Sequence, residues 1–224
     1  MDAGFLPRGP CFFCHADSTT YICNSCQQDL FFATRTRCPV CALPSSTDRI
    51  CGRCLLSPPA FDLSIVLTDY CYPFDRYLQA LKYRHRPELM RLPASSLAST
   101  IRHETRDLPD VLIPVPLHAS RQRQRGYNQA DLLSRHLGRQ LGIKVINNAI
   151  VRCRATASQS GLSHVQRRRN MRNAFIQRNP LGEIRVAICD DVITTGATVN
   201  ELAKVLVANG CPEVQVWALA RTPP

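Results

Sequence analysis

The stretch VAICDDVITTGAT, residues 186–198, joins a strand-like run to a small-residue loop. The β-forming residues VAIC are followed by two adjacent acids, Asp190 and Asp191, and then by threonines around one glycine. The helical pattern of residues 197–210 begins directly after this loop. Strand, loop and helix in this order predict part of a βαβ unit, with the strand over VAIC and the loop over DDVITTGAT.

The rest of this half of the chain alternates predicted strands and helices. Apolar runs typical of buried strands lie at 110–116, 143–146, 183–189 and 213–220. Helices are predicted over 127–142, ending at Gly142, and over 197–210, with Gly210 as the C-cap. Short connections between alternating elements predict an α/β fold: a parallel sheet with helices on both faces.

The loop after the first strand is suited to a phosphate. Ligands of open α/β sheets bind at the carboxyl ends of strands, and a helix N-terminus attracts anions. Gly196 permits close backbone approach, and the hydroxyls add donors. The candidate phosphate-binding residues are Thr194, Thr195, Gly196, Ala197 and Thr198. Because carboxylates repel a phosphate, Asp190 and Asp191 are predicted to bind the vicinal hydroxyls of a ribose, or a metal bound to them. The predicted ligand is a sugar phosphate.

The pattern of an apolar strand, two acids and T-T-G-x-T resembles the phosphoribosyl pyrophosphate (PRPP) loop of type I phosphoribosyltransferases. It matches neither the Walker loop nor G-x-G-x-x-G. A second loop, IPVPLH at 113–118, ends another predicted parallel strand, and the equivalent loop of these enzymes holds the pyrophosphate. The resemblance implies that PRPP binds with Mg²⁺, with Pro116 and Leu117 at the pyrophosphate and with Asp190 and Asp191 as catalytic residues.

Eight of the 12 cysteines occur in four Cys-x-x-Cys pairs: CFFC, CNSC, CPVC and CGRC. One such turn directs two thiolates at an ion, and two turns complete a tetrahedral site. Two structural zinc ions are therefore predicted, held by Cys11, Cys14, Cys23, Cys26, Cys38, Cys41, Cys51 and Cys54. Sequential pairing is the simplest arrangement, and an interleaved cross-brace remains open. Redox pairs, disulfides and an iron–sulfur cluster are less favoured alternatives. His15 is expected to be a bystander because the ligand set is complete without it.

A Pro-Pro pair in LLSPPAFD, residues 55–62, follows the last cysteine pair and predicts a linker. The predicted division is a double zinc ribbon over 1–57 and a phosphoribosyltransferase-like domain over 58–224. The sequence contains no stretch of about 18 apolar residues and no signal-peptide pattern at its start. Membrane insertion is therefore not expected, and a cytoplasmic location is predicted.

The chain is basic, with a formal net charge of +11, which favours polyanionic partners. Residues 132–182 contain ten Lys or Arg and no acid. The candidate nucleic-acid-binding residues are Arg121, Arg125, Arg154, Arg167, Arg168 and Arg169. A basic surface with few aromatic residues is typical of sequence-tolerant binding to single-stranded DNA, and a solvated face is the alternative. Residues 154–175 also have the length and polarity of a lid over a pyrophosphate, so lid and DNA groove both remain open.

Three blocks, at 80–86, 114–133 and 154–175, resemble the signatures of the ComF/GntX family. The resemblance runs from Cys11 to Arg221. It implies a double zinc ribbon joined to a phosphoribosyltransferase-like domain, and a role in natural transformation and DNA uptake. Single-stranded DNA, PRPP and DNA-uptake, helicase or recombination proteins are the implied partners. Two functions follow: a DNA-handling protein with a PRPP sensor pocket, which we favour, or an active phosphoribosyltransferase whose nitrogen nucleophile displaces pyrophosphate.

Overall fold

The computed structural model of the chain describes residues 9–31, 36–84, 86–117, 123, 126–153 and 174–224. The helices and strands within these ranges follow one another along the chain in a largely alternating order. They are β1 (Gly9–Pro10), β2 (Asp17–Ser18), α1 (Asn24–Phe31), α2 (Gly52–Leu56), β3 (Leu63–Asp69), α3 (Phe74–Tyr83), a 3₁₀ turn (Pro87–Met90), α4 (Arg91–Glu104), β4 (Val111–Pro114), α5 (Gln129–Leu141), β5 (Lys144–Val145), β6 (Ile150–Arg152), β7 (Phe175–Gln177), β8 (Val186–Ile193), α6 (Ala197–Ala208) and β9 (Val214–Arg221).

Five strands form one sheet in the order β3–β9–β8–β4–β5. Each neighbouring pair is parallel, which confirms the predicted parallel sheet. Strand β9 is buried along its whole length, as expected for an apolar strand with neighbours on both sides and cover on both faces. Because all five strands are parallel, their carboxyl ends lie at one edge of the sheet, and we refer to it as the carboxyl edge.

Helices cover both faces of the sheet, as predicted. Helices α3, α4 and α5 pack on one face, where Leu78, Leu97 and Leu133 join a core with Trp217. Helix α6 packs on the other face through Val199, Leu202, Ala203 and Leu206. The antiparallel pair β6–β7 contributes to this second core through Ile150 and Phe175. The apolar positions of each helix recur at helical spacing, so burial of one stripe accounts for their formation.

Helix α5 stops at Gly142 as predicted, but it begins at Gln129, two residues later than the predicted start at residue 127. The side chain of Asn128 accepts a hydrogen bond from the Ala130 N–H, and Gly142 closes the helix in the left-handed conformation. At the end of α6 the prediction is wrong by one residue. The C-cap is Asn209, and Gly210 follows it with φ +89°.

Strand β8 is longer than its sequence predicts. The expected strand ended at Cys189, but the structure continues it through both aspartates to Ile193. The parallel pairing with β9 explains the extension, because Val192 and Ile193 pair with Ala220 and Arg221 and are themselves buried. The glycine loop is therefore short: it consists of residues 194–196, and Ala197 already belongs to α6.

The cysteine-rich residues pack against the sheet domain. Near the first two cysteine pairs, the Phe12 ring lies 4.9 Å from the ring of Tyr77 in α3, and the Phe31 ring lies 5.5 Å from that of Phe74. Near the third and fourth pairs, the Ser64 N–H of β3 donates to the Pro39 carbonyl at 3.0 Å. Residues of both cysteine-rich parts thus belong to the same hydrophobic cores as residues of the sheet domain.

Replacing Gly138 by alanine should destabilise the protein, although this change usually favours a helix. A Cβ at residue 138 would lie 2.7 Å from the Ile143 carbonyl oxygen and 2.8 Å from the Val145 side chain. We expect a loss of about 1–3 kcal/mol in the free energy of unfolding, measured by denaturant titration. The control is Arg139→Ala on the same helix. A gain of about 1 kcal/mol for Gly138→Ala, as at an open helix position, would contradict this packing.

Candidate functional site

The glycine loop lies at the carboxyl edge, between strand β8 and helix α6. Gly196 has φ +78° and is the N-cap of α6, a conformation that favours glycine. As a glycine, the N-cap residue itself has no side chain that could accept from the helix amides. The hydroxyl of Thr195, a buried residue, accepts a hydrogen bond from the Ala197 N–H at 3.2 Å. The backbone amides of the loop and the first turn of α6 therefore form the anion-attracting end predicted from the sequence.

The two aspartates lie at the end of β8, next to a lysine that the sequence analysis did not select. The Nζ atom of Lys82, near the end of α3, lies 2.8 Å from Oδ2 of Asp191, and both side chains are mostly buried. Lys82 belongs to the block at 80–86 that carries part of the family resemblance. However, no spacing in the sequence indicates its pairing with Asp191, which depends on how α3 packs over the sheet.

Asp190 has a different environment from Asp191. Burial and the nearby charge of Asp191 raise the pKa of Asp190 to about 8, and Lys82 opposes this shift only in part. One oxygen of Asp190 also accepts the Asp191 N–H at 2.9 Å. Near pH 7 the cluster thus contains one protonated carboxyl group and one ion pair, so it carries less negative charge than two free carboxylates.

The structure brings the second predicted loop to the same edge. Strand β4 is the neighbour of β8, and the Val115 N–H donates to the Cys189 carbonyl at 2.9 Å. Pro116 and Leu117 follow directly and are partly exposed. The Asn128 side chain donates to the Val115 carbonyl at 3.0 Å and thereby connects this loop to the start of α5. Asn128 is a positioning residue that the sequence analysis did not select.

The eight cysteines of the four pairs form two separate clusters. Sulfur atoms of Cys11, Cys14, Cys23 and Cys26 lie within 4.8 Å of one another, and so do those of Cys38, Cys41, Cys51 and Cys54. The sequential pairing is therefore correct and the interleaved cross-brace is wrong. Four convergent sulfurs without an open position fit a structural zinc ion in each cluster, which would supply folding free energy. We call the two parts the first ribbon (9–31) and the second ribbon (36–56).

The two ribbons repeat the same backbone hydrogen bonds. The Cys23 N–H donates to the Cys11 sulfur at 3.3 Å, and the Cys51 N–H donates to the Cys38 sulfur at the same distance. Burial opposes ionisation of the Cys11 thiol, but backbone N–H donors outweigh it and lower the pKa to about 6. The corresponding balance lowers the pKa of Cys38 to about 7. A cysteine whose pKa is lowered in this way loses its proton more readily, and the resulting thiolate can bind a cation.

His15 has a backbone role that the sequence analysis missed. Its φ is +60°, and Ala42, the equivalent residue of the second ribbon, has φ +55°. Each follows the second cysteine of a pair, and each N–H donates to the carbonyl of the first, Cys11 or Cys38. Both ribbons therefore contain a left-handed residue at the turn around the sulfur cluster. A glycine there would have signalled this turn in the sequence.

The second ribbon touches the carboxyl edge through two arginines. Arg37 Nη1 lies 2.8 Å from Oδ1 of Asp69 at the end of β3. Arg221, the last residue of β9, is almost fully buried, and its guanidinium donates to the carbonyl of Cys41 at 2.9 Å. The same guanidinium donates to the carbonyls of Ile193, at 2.9 Å, and Thr194. Arg221 therefore connects a predicted zinc ligand with the glycine loop.

The predicted nucleic-acid-binding arginines lie outside the described residues. These are Arg121, Arg125, Arg154, Arg167, Arg168 and Arg169. The ends of the segment 154–173 are described: the Cys153 N–H donates to the Ala174 carbonyl at 3.0 Å, directly beyond the β6–β7 pair. In the described part of the chain, no helix is long and apolar enough to span a membrane.

Comparison with known proteins agrees with this architecture. The double zinc ribbon domain family matches residues 3–55. The chain is 40% identical over 209 residues to DNA utilization protein YhgH of Shigella flexneri, which covers 90% of each chain. It is 43% identical over 178 residues to competence protein F of Haemophilus influenzae, which covers 76% of this chain and 78% of that protein. The chain belongs to the ComF/GntX family.

A more distant relative is also similar to this chain over most of its length. Competence protein ComFC of Bacillus subtilis is 28% identical over 195 residues, covering 84% of this chain and 79% of that protein. Among solved structures, a purine phosphoribosyltransferase from Pyrococcus horikoshii covers 58% of this chain and 80% of its own, with 17% identity and a TM-score of 0.36. The predicted α/β architecture, a parallel sheet with helices on both faces preceded by a double zinc ribbon, is confirmed by the structure and by the family match.

The purified protein should contain two zinc ions per chain, one for each cysteine cluster. Cys23→Ser and Cys51→Ser remove equivalent ligands from the two clusters, so each variant should retain one ion. The measurement is metal analysis by plasma emission spectrometry, with Cys71→Ser, outside both clusters, as the control. Iron in place of zinc, or the loss of both ions in either variant, would contradict two independent zinc sites.

Proposed function

We propose that this protein handles incoming single-stranded DNA in the cytoplasm during natural transformation or DNA utilisation, and that its carboxyl edge binds PRPP. In this proposal residues 1–57 are the double zinc ribbon and residues 58–224 carry the ligand pocket and the DNA surface. The single observation that carries the proposal is the glycine loop at the carboxyl edge of a competence-family protein, with two acids beside it.

The loop geometry supports a phosphate ligand. The 5′-phosphate would accept hydrogen bonds from the amides and hydroxyls of residues 194–198, at the positive end of α6. The pyrophosphate would lie at Pro116 and Leu117, where β4 ends beside β8. Mg²⁺ would accompany PRPP and offset part of the charge of its phosphates. The neighbouring positions of the two loops and the positive helix end at one of them favour a ligand that carries phosphate groups at both ends.

The acid cluster supports recognition of the ribose. Hydroxyls of a ribose donate to carboxylates, so Asp190 and Asp191 are suitable acceptors for vicinal hydroxyls. Lys82 has a 2.8 Å contact with Asp191 and would balance the charge of the acids while the phosphates bind nearby. The Asp190–Asp191 pair would also stabilise the positive charge that develops at the anomeric carbon if pyrophosphate left. The position of these two acids beside the loop therefore favours the second candidate, an active phosphoribosyltransferase with a nitrogen nucleophile.

The basic composition supports the DNA part of the proposal. The residues proposed to contact DNA are Arg121, Arg125, Arg154, Arg167, Arg168 and Arg169. Two bound zinc ions with eight thiolates would reduce the formal charge of +11 to about +7, so the protein remains basic. Relatives are named for competence and DNA utilisation, which supports the same role. DNA-uptake, helicase or recombination proteins are the proposed protein partners.

The proposal is tested by equilibrium binding of PRPP with Mg²⁺, with and without single-stranded DNA, while released pyrophosphate is assayed. Binding of both ligands without release is the expected result for a DNA-handling protein with a sensor pocket. Release that depends on an added base, nucleotide or DNA would identify a transferase and its acceptor class. Absence of PRPP binding by a protein with both zinc ions in place would overturn the assignment of the loop.

The affinity for PRPP should increase with pH up to about pH 8 and then level off. The pKa of Asp190 is raised to about 8, so ribose hydroxyls that need its carboxylate as acceptor bind with release of a proton. The dissociation constant should fall by up to about tenfold per pH unit below that pKa. Calorimetric titrations between pH 6 and pH 9 measure the slope. The matched variant Asp190→Asn should bind weakly with a flat profile. A slope that persists in this variant would assign the proton to another group.

Neutralising Arg167, Arg168 and Arg169 together to glutamine should weaken binding to single-stranded DNA. Each lost phosphate contact should reduce the slope of log K against log salt by about 0.7. Fluorescence anisotropy with oligonucleotides at several salt concentrations measures this slope. Arg135→Gln is the control, because Arg135 pairs with Asp131 at 3.0 Å on α5. An unchanged slope in the triple variant would make the three arginines a solvated face.

A further inference from the structure

Arg221 joins the second ribbon to the glycine loop through a buried guanidinium. Its side chain is 2% exposed, and it donates to the backbone carbonyls of Cys41, Ile193, Thr194 and Thr222. Nε faces the ribbon and Nη1 faces the loop. A buried cation is stable only when its donors are satisfied, so the position of this side chain requires both the ribbon and the loop to be in place.

The contacts on the loop side involve two successive peptide groups, and because the Ile193 carbonyl also accepts the Thr222 N–H at 2.9 Å, Arg221 adds most at the Thr194 peptide. A trans peptide is planar, so its N–H points away from its C=O. The carbonyls of Ile193 and Thr194 point at Arg221. The N–H groups of Thr194 and Thr195 in the same peptide planes therefore point away from the guanidinium. The positive charge behind these peptides also polarises them so that their N–H ends become better donors to an anion.

The contact on the ribbon side involves a turn whose shape depends on the sulfur cluster. Cys41 is one of the four convergent cysteines, and the next residue, Ala42, has φ +55°. The Cys41 carbonyl thus lies in a turn that holds an uncommon backbone conformation, which metal binding would stabilise. Loss of the ion would release this turn and remove a partner of Arg221.

The first ribbon has different contacts. In the part of the chain that the structure describes, its ring contacts are with Phe74 and Tyr77 of α3, and Arg86 lies over its Tyr21 at 5.3 Å. These contacts lie on the face covered by α3, α4 and α5 and include none with residues 193–196. The second ribbon is therefore the site to test, and the first ribbon is its control.

We propose that Arg221 is a positioning residue that makes the glycine loop depend on the second zinc site: occupancy of the Cys38, Cys41, Cys51 and Cys54 cluster orders the loop amides for a phosphate, whereas the first cluster does not. This inference rests on the proposed function where it concerns PRPP. Its structural part, the coupling of zinc to the loop, stands independently of the ligand.

The test is hydrogen exchange of peptides covering residues 190–200, combined with zinc analysis. Cys51→Ser should accelerate exchange of the loop by at least about tenfold, whereas Cys23→Ser should leave it unchanged, with one zinc ion in each. Arg221→Lys keeps both zinc ions and the charge but loses the forked donor that bridges Cys41 and Thr194. It should also accelerate exchange of the loop. Arg49→Met changes an exposed arginine of the second ribbon and should leave the loop unchanged.

Calorimetric binding of PRPP adds a second readout. Cys51→Ser and Arg221→Lys should weaken binding about tenfold, and Cys23→Ser and Arg49→Met should not. Unchanged exchange in Cys51→Ser and Arg221→Lys, or equal acceleration in Cys23→Ser, would overturn the coupling. If the wild-type protein binds no PRPP, the proposed ligand is wrong, while the exchange data still decide whether zinc orders the loop.

Discussion

The parallel pairing of β8 with β9 is the constraint on which the rest of the site depends. It continues past both aspartates to Ile193 and Arg221. This register leaves only residues 194–196 for the turn into α6, which is why a glycine with positive φ is needed there. It also places the side chain of Arg221 beside the carbonyls of that turn. A shorter pairing would free the loop and remove its support.

The helices on one face of the sheet provide the charge that the acid pair needs. Helix α3 starts after the carboxyl end of β3 and brings Lys82 to Asp191 near its own end. The Tyr127 hydroxyl donates to the Leu81 carbonyl, so the segment that precedes α5 is bound to the same end of α3. Two aspartates in sequence therefore become two chemically different groups. Asp191 forms an ion pair with Lys82, whereas burial and the charge of Asp191 raise the pKa of Asp190 to about 8.

The sequence predicts those features that depend on local pattern. The VAIC run, the Gly142 end of α5 and the four cysteine pairs all carry short-range signals that the structure confirms. It does not predict features that depend on tertiary contact. Strand β8 extends through two charged residues because β9 runs beside it. No element is predicted from the sequence between residues 63 and 104, where the structure has β3, α3 and α4. The contacts of Lys82 with Asp191 and of Arg221 with Cys41 arise from packing between segments more than a hundred residues apart.

The contact of the second ribbon with β3 has a consequence for solubility. Strand β3 is the outermost strand at its end of the sheet, and it contains the buried residues Ile65, Val66 and Leu67. An open strand edge of this kind is a template for pairing with another chain. The ribbon covers it: Ser64 donates through its N–H to Pro39 at 3.0 Å and through its hydroxyl to Val40 at 2.7 Å. A ribbon that loses its metal would uncover an apolar edge, so zinc depletion would promote aggregation of the sheet domain.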